Sequence, residues 1–235
     1  MRLFRSSFVL IGSLAIALAS PVGLPGADTS LQAVFNRMDQ ASAKFKGLKA
    51  DMRKLTHTEV INEDSVDTGT IAVRLPKPHD LRVLIHFQQP DDKQVMIAGT
   101  KLDVFYPKSL IVQEYDLGKS HRNQVESFLL LGFGSNSKDL LAAYTVTLGG
   151  AEAVAGEPST RIELIPKQKE MAAQFPKIEL WISDNSGISI QQKLHSPGGD
   201  YSLATYTKMQ LNGNIPESDV KWTLPKGVHW EYPQK

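Results

Sequence analysis

From Leu48 onward the sequence falls into short runs in which apolar and polar side chains alternate, each closed by Gly, Asn, Asp or Pro, and this rhythm constrains the fold more than any other feature. Alternation with a period of two is the signature of strands that bury one face. The runs cover residues 50–60, 69–75, 80–87, 94–98, 101–106 and 110–115, and then, after a helical interlude, 144–148, 152–155, 159–166, 177–183, 188–195 and 201–211. The connections Ala98-Gly99-Thr100, Asp184-Asn185-Ser186-Gly187 and Ser196-Pro197-Gly198-Gly199-Asp200 supply the residues that hairpin turns need. Together they predict an antiparallel meander. No repeat of fixed length points to a propeller or solenoid.

The face that each run would bury is strongly apolar. Leu81, Val83, Ile85 and Phe87 share one side of a strand, with Arg82, His86 and Gln88 mostly on the other. Similar stripes run through Ile71, Val73 and Leu75 and through Leu102, Val104 and Tyr106. A strongly curved sheet of about ten strands has more inner surface than a few short helices can cover, so either it closes tightly or a cavity remains. The expected fold class is therefore mainly β (α+β): a curved antiparallel sheet in a single domain, closed or left as an incomplete β-barrel. The candidate cavity wall is Val73, Leu75, Val83, Ile85, Phe87, Val104 and Tyr106.

Helices are few. Asp28, Thr29 and Ser30 offer caps for a helix carrying Leu31, Val34, Phe35, Met38, Ala41 and Phe45 at helical spacing, ending near Gly47. In the interlude, residues 121–132 carry Val125, Phe128, Leu129, Leu130 and Leu131, followed by Gly132-Phe133-Gly134 and a second short helix over residues 138–143. So apolar a segment must bury its face. It is either a lid over the mouth of the sheet, with Val125, Phe128, Leu129 and Leu130 as the covering side chains, or a plain core helix; periodicity does not separate the two.

The N-terminus reads as an export signal. Arg2 and Arg5 precede an apolar run from Phe8 to Ala19 that contains no acid, and Pro21, Gly23, Pro25 and Gly26 then break it. Such a run is shorter than the roughly 20 residues that a membrane-spanning helix wants. Residues 1–26 are accordingly expected to be a signal peptide and linker, and residues 27–235 one domain exported to the periplasm. The chain contains no Cys, so neither a disulfide nor lipidation of the mature N-terminus is available, and a chain of this size can bury enough surface without either.

Charge speaks against nucleic acid. The chain has 26 Lys and Arg against 25 Asp and Glu, with no basic run interleaved with aromatics. The six His are scattered and none stands at metal-ligand spacing from another, so no metal is expected. There is no Gly-x-Ser-x-Gly elbow, phosphate loop or dinucleotide fingerprint. Asp91-Asp92 and Glu63-Asp64 read as solvated turn charges, and neither catalysis nor a cofactor is expected.

Five strings stand out in order along the chain: Gly69-Thr70-Ile71-Ala72-Val73-Arg74-Leu75-Pro76, Gly99-Thr100-Lys101-Leu102-Asp103-Val104-Phe105-Tyr106-Pro107, Phe128-Leu129-Leu130-Leu131-Gly132-Phe133-Gly134, Ile178-Glu179-Leu180-Trp181-Ile182 and Leu224-Pro225-Lys226-Gly227-Val228. These strings and the order of elements resemble the LolA family of periplasmic lipoprotein carriers and lipoprotein-sorting proteins. The resemblance implies a partly open barrel with a helical lid. It implies a monomer that takes acyl chains of lipoproteins, or other lipids, from an inner-membrane transporter and passes them to an outer-membrane acceptor. One departure stands out: where family carriers have a lid-latching Arg before the Pro of the second strand, this chain has Leu75, with Arg74 one residue earlier. A one-residue shift reverses the strand face. A sensor module of the same fold and a hydrolase with a spatially assembled triad are the competing readings.

Overall fold

The computed structural model describes residues 30–77, 80–116 and 130–234. In chain order the elements are α1 (Leu31–Ser42), β1 (Gly47–Thr58), β2 (Glu63–Arg74), β3 (Arg82–Gln89), β4 (Lys93–Ala98), β5 (Lys101–Tyr106), β6 (Ile111–Asp116), α2 (Ser137–Ala143), β7 (Tyr144–Val154), β8 (Glu157–Pro166), α3 (Lys169–Gln174), β9 (Lys177–Ser183), β10 (Ser189–His195), β11 (Tyr201–Leu211) and β12 (His229–Glu231). The strands form one curved sheet in the order β12-β6-β5-β4-β3-β2-β1-β11-β10-β9-β8-β7, which is not closed into a barrel. The expected mainly β class and incomplete barrel are what the chain adopts.

Two meanders, β1 to β6 and β7 to β11, meet where β1 pairs antiparallel with β11, from Leu48 opposite Leu211 to His57 opposite Tyr201. Three boundaries differ from the local reading. The second strand begins at Glu63, six residues before Gly69, because its polar half pairs with the polar half of β1 from Asp67 opposite Lys54 to Glu63 opposite Thr58. The expected break before residue 152 is instead a bulge: β7 continues through Gly149 and Gly150, with the register shift between Leu148 and Gly150. The third is α1, which stops at Ser42 and leaves Phe45 on the approach to β1. Its cap is Ser30, whose hydroxyl accepts from the Ala33 N–H.

On the inner face the two meanders are covered unequally. Val34, Phe35 and Met38 of α1 and Leu140 of α2 pack with Ile162 and Leu164 of β8 and Ile178, Leu180 and Ile182 of β9, most of them fully buried. Arg37 fastens α1 to the end of β9 through Asp184, Nη2 to Oδ1 at 2.8 Å. At the turn between β9 and β10, Gly187 has φ +70°, and a Cβ there would lie 2.4 Å from the Arg37 carbonyl oxygen. Only glycine lets the helix come this close. The other half of the inner face, built on β1 to β5, has no described helix across it.

The outer face of β1 to β6 is crossed by the chain after β11. Asn212 ties it to the start of β1, its Oδ1 accepting from the Lys46 N–H at 2.7 Å. Ile215 and Val220 then pack on Ala72, Asp219 takes Lys49 at 2.7 Å, and Trp222 meets Phe105 edge-on with ring centroids 6.0 Å apart. The crossing ends in β12, parallel to β6.

The outer face of β8 to β10 holds a buried charge cluster. Glu179 is 4% exposed and lies 2.9 Å from Arg161 Nη1, 2.7 Å from His195 Nε2 and 3.5 Å from Lys177 Nζ. Burial pushes its carboxyl pKa up, but the His195 hydrogen bond and the charges of Lys177, His195 and Arg161 outweigh burial and hold it below the ordinary value. Because the folded pKa is depressed, the carboxylate contributes stability above the unfolded pKa, and that contribution is lost as pH falls through the folded value. Glu179→Gln should therefore lower the unfolding free energy by about 1–3 kcal/mol at neutral pH in urea melts, with the deficit shrinking in acid. Equal stability at neutral pH would contradict this account of the cluster.

Candidate functional site

The uncovered half of the inner face encloses a cavity of about 310 Å³. Strand alternation decides which side chains reach it. Met52 and Lys54 come from β1, Ile71 and Val73 from β2, Val83, Ile85 and Phe87 from β3, Val95 and Ile97 from β4 and Leu102 from β5. The second meander closes the far side with Gln192 and Leu194 of β10 and Ser202, Ala204 and Tyr206 of β11. The register aligns these rows, placing Ile71 opposite Ile85, Ile85 opposite Val95 and Met52 opposite Tyr206. The wall is mostly aliphatic, with its polar groups gathered towards Lys54, Gln192 and Ser202.

One end of the cavity is stopped by Leu131 and Phe133. Phe133 stands edge-on to Tyr206 with ring centroids 5.1 Å apart. Their segment is held to the sheet by polar bonds: the Gln192 side-chain amide donates to the Leu131 carbonyl at 2.7 Å, and the Ser189 N–H donates to the Gly132 carbonyl at 2.7 Å. Gly132 has φ +77°, and a Cβ on it would fall 2.5 Å from Ser189 Cβ. The Gly132-Phe133-Gly134 string is thus a tight turn pressed against β10. Burial pushes the pKa of the Tyr206 hydroxyl up, and this group stays a neutral donor towards Gln192 Oε1, at 3.4 Å.

Of the expected wall residues, Val73, Val83, Ile85 and Phe87 line the cavity. Leu75 packs at the fringe of the same apolar cluster, Val104 stands beside the wall opposite Val95, and Tyr106 ends β5 at 37% exposed. Of the expected lid residues, Leu130 is buried in the cluster, and the side chains that reach the cavity from its segment are Leu131 and Phe133. Val125, Phe128 and Leu129 lie outside the described residues. Alternation sets Arg74 with Ala72 on the outer side of β2, away from Val73.

Local sequence reading missed the contributions of β1, β10 and β11. Lys54 interrupts the stripe that Ala50 and Met52 begin, and Ser202 and Ala204 are too small to register as one. Their place in the wall follows from β1 pairing with β11, residues about 150 apart in sequence, which no local pattern reveals.

A second hollow, of about 460 Å³, lies on the outer face between Lys49, Asp51, His86, Lys208 and Asp219. Its lining mixes these groups with Ala50, Ala72 and Leu84, and Lys49 pairs with Asp219 at 2.7 Å and Lys208 with Asp51 at 2.8 Å. His86 points outward, as expected, to Asp92 at 2.8 Å. Among the described residues no group of three or more His, Asp or Glu could hold a metal ion, and no helix is long and apolar enough to cross a membrane.

No protein-family model matches the sequence, and a search of curated proteins finds no match. Solved structures do match. An uncharacterized conserved protein of Thermus thermophilus is similar at TM-score 0.52 and 12% identity, over 86% of this chain and 98% of that one. MucB is similar at TM-score 0.51 and 14% identity, over 85% of this chain and 64% of MucB. A LolA superfamily protein of Nitrosomonas europaea superposes at TM-score 0.40 and 14% identity, over 81% of this chain and 97% of that one. The fold is shared with the Thermus thermophilus protein and with MucB. At such identities the likeness speaks to the fold alone, and the chain spans under two thirds of MucB, or 60% of the matching chain in the Pseudomonas aeruginosa MucA/MucB complex.

Phe133 stands where a ligand would compete with it. Phe133→Ala should cost the empty protein about 3–5 kcal/mol, the usual range for truncating a buried Phe. A fluorescent acyl probe should recover part of that loss by filling the vacated space. Melts with and without the probe check this, and equal losses in both would show that the ring only packs the core.

Proposed function

We propose that the protein is a non-enzymatic carrier that holds acyl chains, of a lipoprotein or of another lipid, in the inner-face cavity. The observation that carries this reading is the cavity itself: aliphatic side chains from five consecutive strands face a space that no described helix fills. Its volume is at the lower end of the range of about 300–1,000 Å³ common to small-molecule pockets. Each buried methylene would contribute about 0.8 kcal/mol, so even part of an acyl chain supplies a useful driving force. Release then needs a competitor for the same surface, and the segment that carries Leu131 and Phe133 is placed to provide one.

The export signal expected in residues 1–26 puts this activity in the periplasm, with residues 27–235 as the working domain. Carriage between an inner-membrane donor and an outer-membrane acceptor is the route that the sequence resemblance to the LolA family suggests. Val73, Val83, Ile85 and Phe87 form the central wall in this proposal. Leu75, Val104 and Tyr106 extend it along the strand ends, and Val125, Phe128, Leu129 and Leu130 belong to the covering segment.

Native mass spectrometry of the protein taken from its own periplasm should find acylated cargo bound. Ile85→Glu should abolish that load, because a carboxyl facing acyl chains must either ionise in apolar surroundings or remain protonated at a cost. Leu84→Glu, on the outer face of the same strand, should leave it intact. An unchanged load on folded Ile85→Glu protein would refute the cavity as the binding site.

A further inference from the structure

Lys54 puts a charge into a mostly aliphatic wall. It follows Met52 on the inner side of β1, and its register partners are Asp67 on β2 and Ala204 on β11. Ser202, two residues from Ala204 and on the same side, lines the cavity with it. Asp67 is already taken: Lys93 Nζ lies 3.2 Å from its Oδ1, and the same ammonium sits 4.8 Å from the centroid of Phe87, another wall residue. This end of the cavity therefore gathers two ammonium groups and one carboxylate. Lys54 feels the charge of Asp67 but makes no hydrogen bond or ion pair of its own among the described residues.

An ammonium so placed is costly to the empty protein. Burial lowers its pKa, with the Asp67 charge opposing and the Lys93 charge adding to the shift. A wholly apolar cargo would strip away more of its water and repay nothing, since a desolvated charge needs a partner. An anion would supply that partner, and charge-assisted hydrogen bonds are about twice as strong as neutral ones. Resting on the reading of the cavity as an acyl site, we propose that its cargo is an amphiphile whose acyl chain ends in a negatively charged headgroup, a carboxylate or a phosphate, held by Lys54 and the Ser202 hydroxyl. The chain then runs inward along Val83, Ile85 and Val95. This favours an anionic lipid over the ester- and amide-linked chains of a lipoprotein, which offer no charge at that point.

Displacement of N-phenylnaphthylamine, an uncharged fluorescent probe, tests the proposal with dodecanoate, dodecyl phosphate and methyl dodecanoate on the wild-type protein and on Lys54→Met and Lys54→Arg. Wild type should bind at least one of the two anionic ligands about tenfold more tightly than the ester, equivalent to about 1.4 kcal/mol; which of the two is preferred identifies the headgroup. Lys54→Met should abolish the preference while keeping the affinity for the ester, and Lys54→Arg should retain it. Equal wild-type affinity for all three ligands, or an equal loss for acid and ester in Lys54→Met, would overturn the headgroup proposal and leave the acyl site standing. Failure of all three to bind wild type would overturn the acyl site and the headgroup proposal together.

Discussion

The pairing of β1 with β11 is the contact on which the rest of the molecule depends. It joins the two meanders into one sheet, and it does so between segments at opposite ends of the domain. Closing so long a loop costs entropy that only extensive pairing and burial offset. The pairing runs from Leu48 and Leu211 to His57 and Tyr201, with one irregularity between Lys49 and Asp51. Without it, Met52 and Lys54 would have no neighbours in Ala204 and Tyr206, and the cavity would lose one wall.

The cavity follows from an unequal division of cover over a continuous apolar face. An antiparallel sheet can leave one face to solvent, but an apolar inner face must meet something. The chain gives the β8–β9 half a well-capped helix fixed by Arg37 and Gly187, and gives the outer side of β1 to β6 the long crossing that ends in β12. Among the described residues no helix crosses the β1–β5 half, and from the segment before the second helix Leu131 and Phe133 reach its cavity. A space lined by Ile, Val and Leu is then a consequence of topology. Its chemistry is set by the few polar groups that alternation forces inward, Lys54 foremost among them.

Much of the fold was legible because strands announce themselves by period. Val83, Ile85 and Phe87 share one side of a strand whose other side is mostly polar, with Leu84 the exception, and they face the cavity. What stayed hidden lacked a local signal. The first half of β2 is polar on both sides, β7 carries two glycines that mimic a turn, and α3 has no buried residue to give it an amphipathic stripe. Of the wall residues on β10 and β11, Gln192, Ser202 and Ala204 are small or polar, so only the long-range register reveals them. Arg74 shows the opposite case: counting positions from Pro76 was enough to place it on the outer side of its strand, away from the latch position that the resemblance suggested.

A curved open sheet with a mostly aliphatic inner cavity and, among its described residues, an unpaired cation in the wall suits an amphiphile, and the proposal stands or falls on where such a molecule sits. Intermolecular nuclear Overhauser effects between a bound acyl chain and the methyl groups of the protein measure this directly. Contacts are expected from the chain to Val83, Ile85, Val95 and Ile97 and none to Leu84 on the outer side. Contacts confined to the outer face, or to the exposed side chains at the sheet edges, would contradict it.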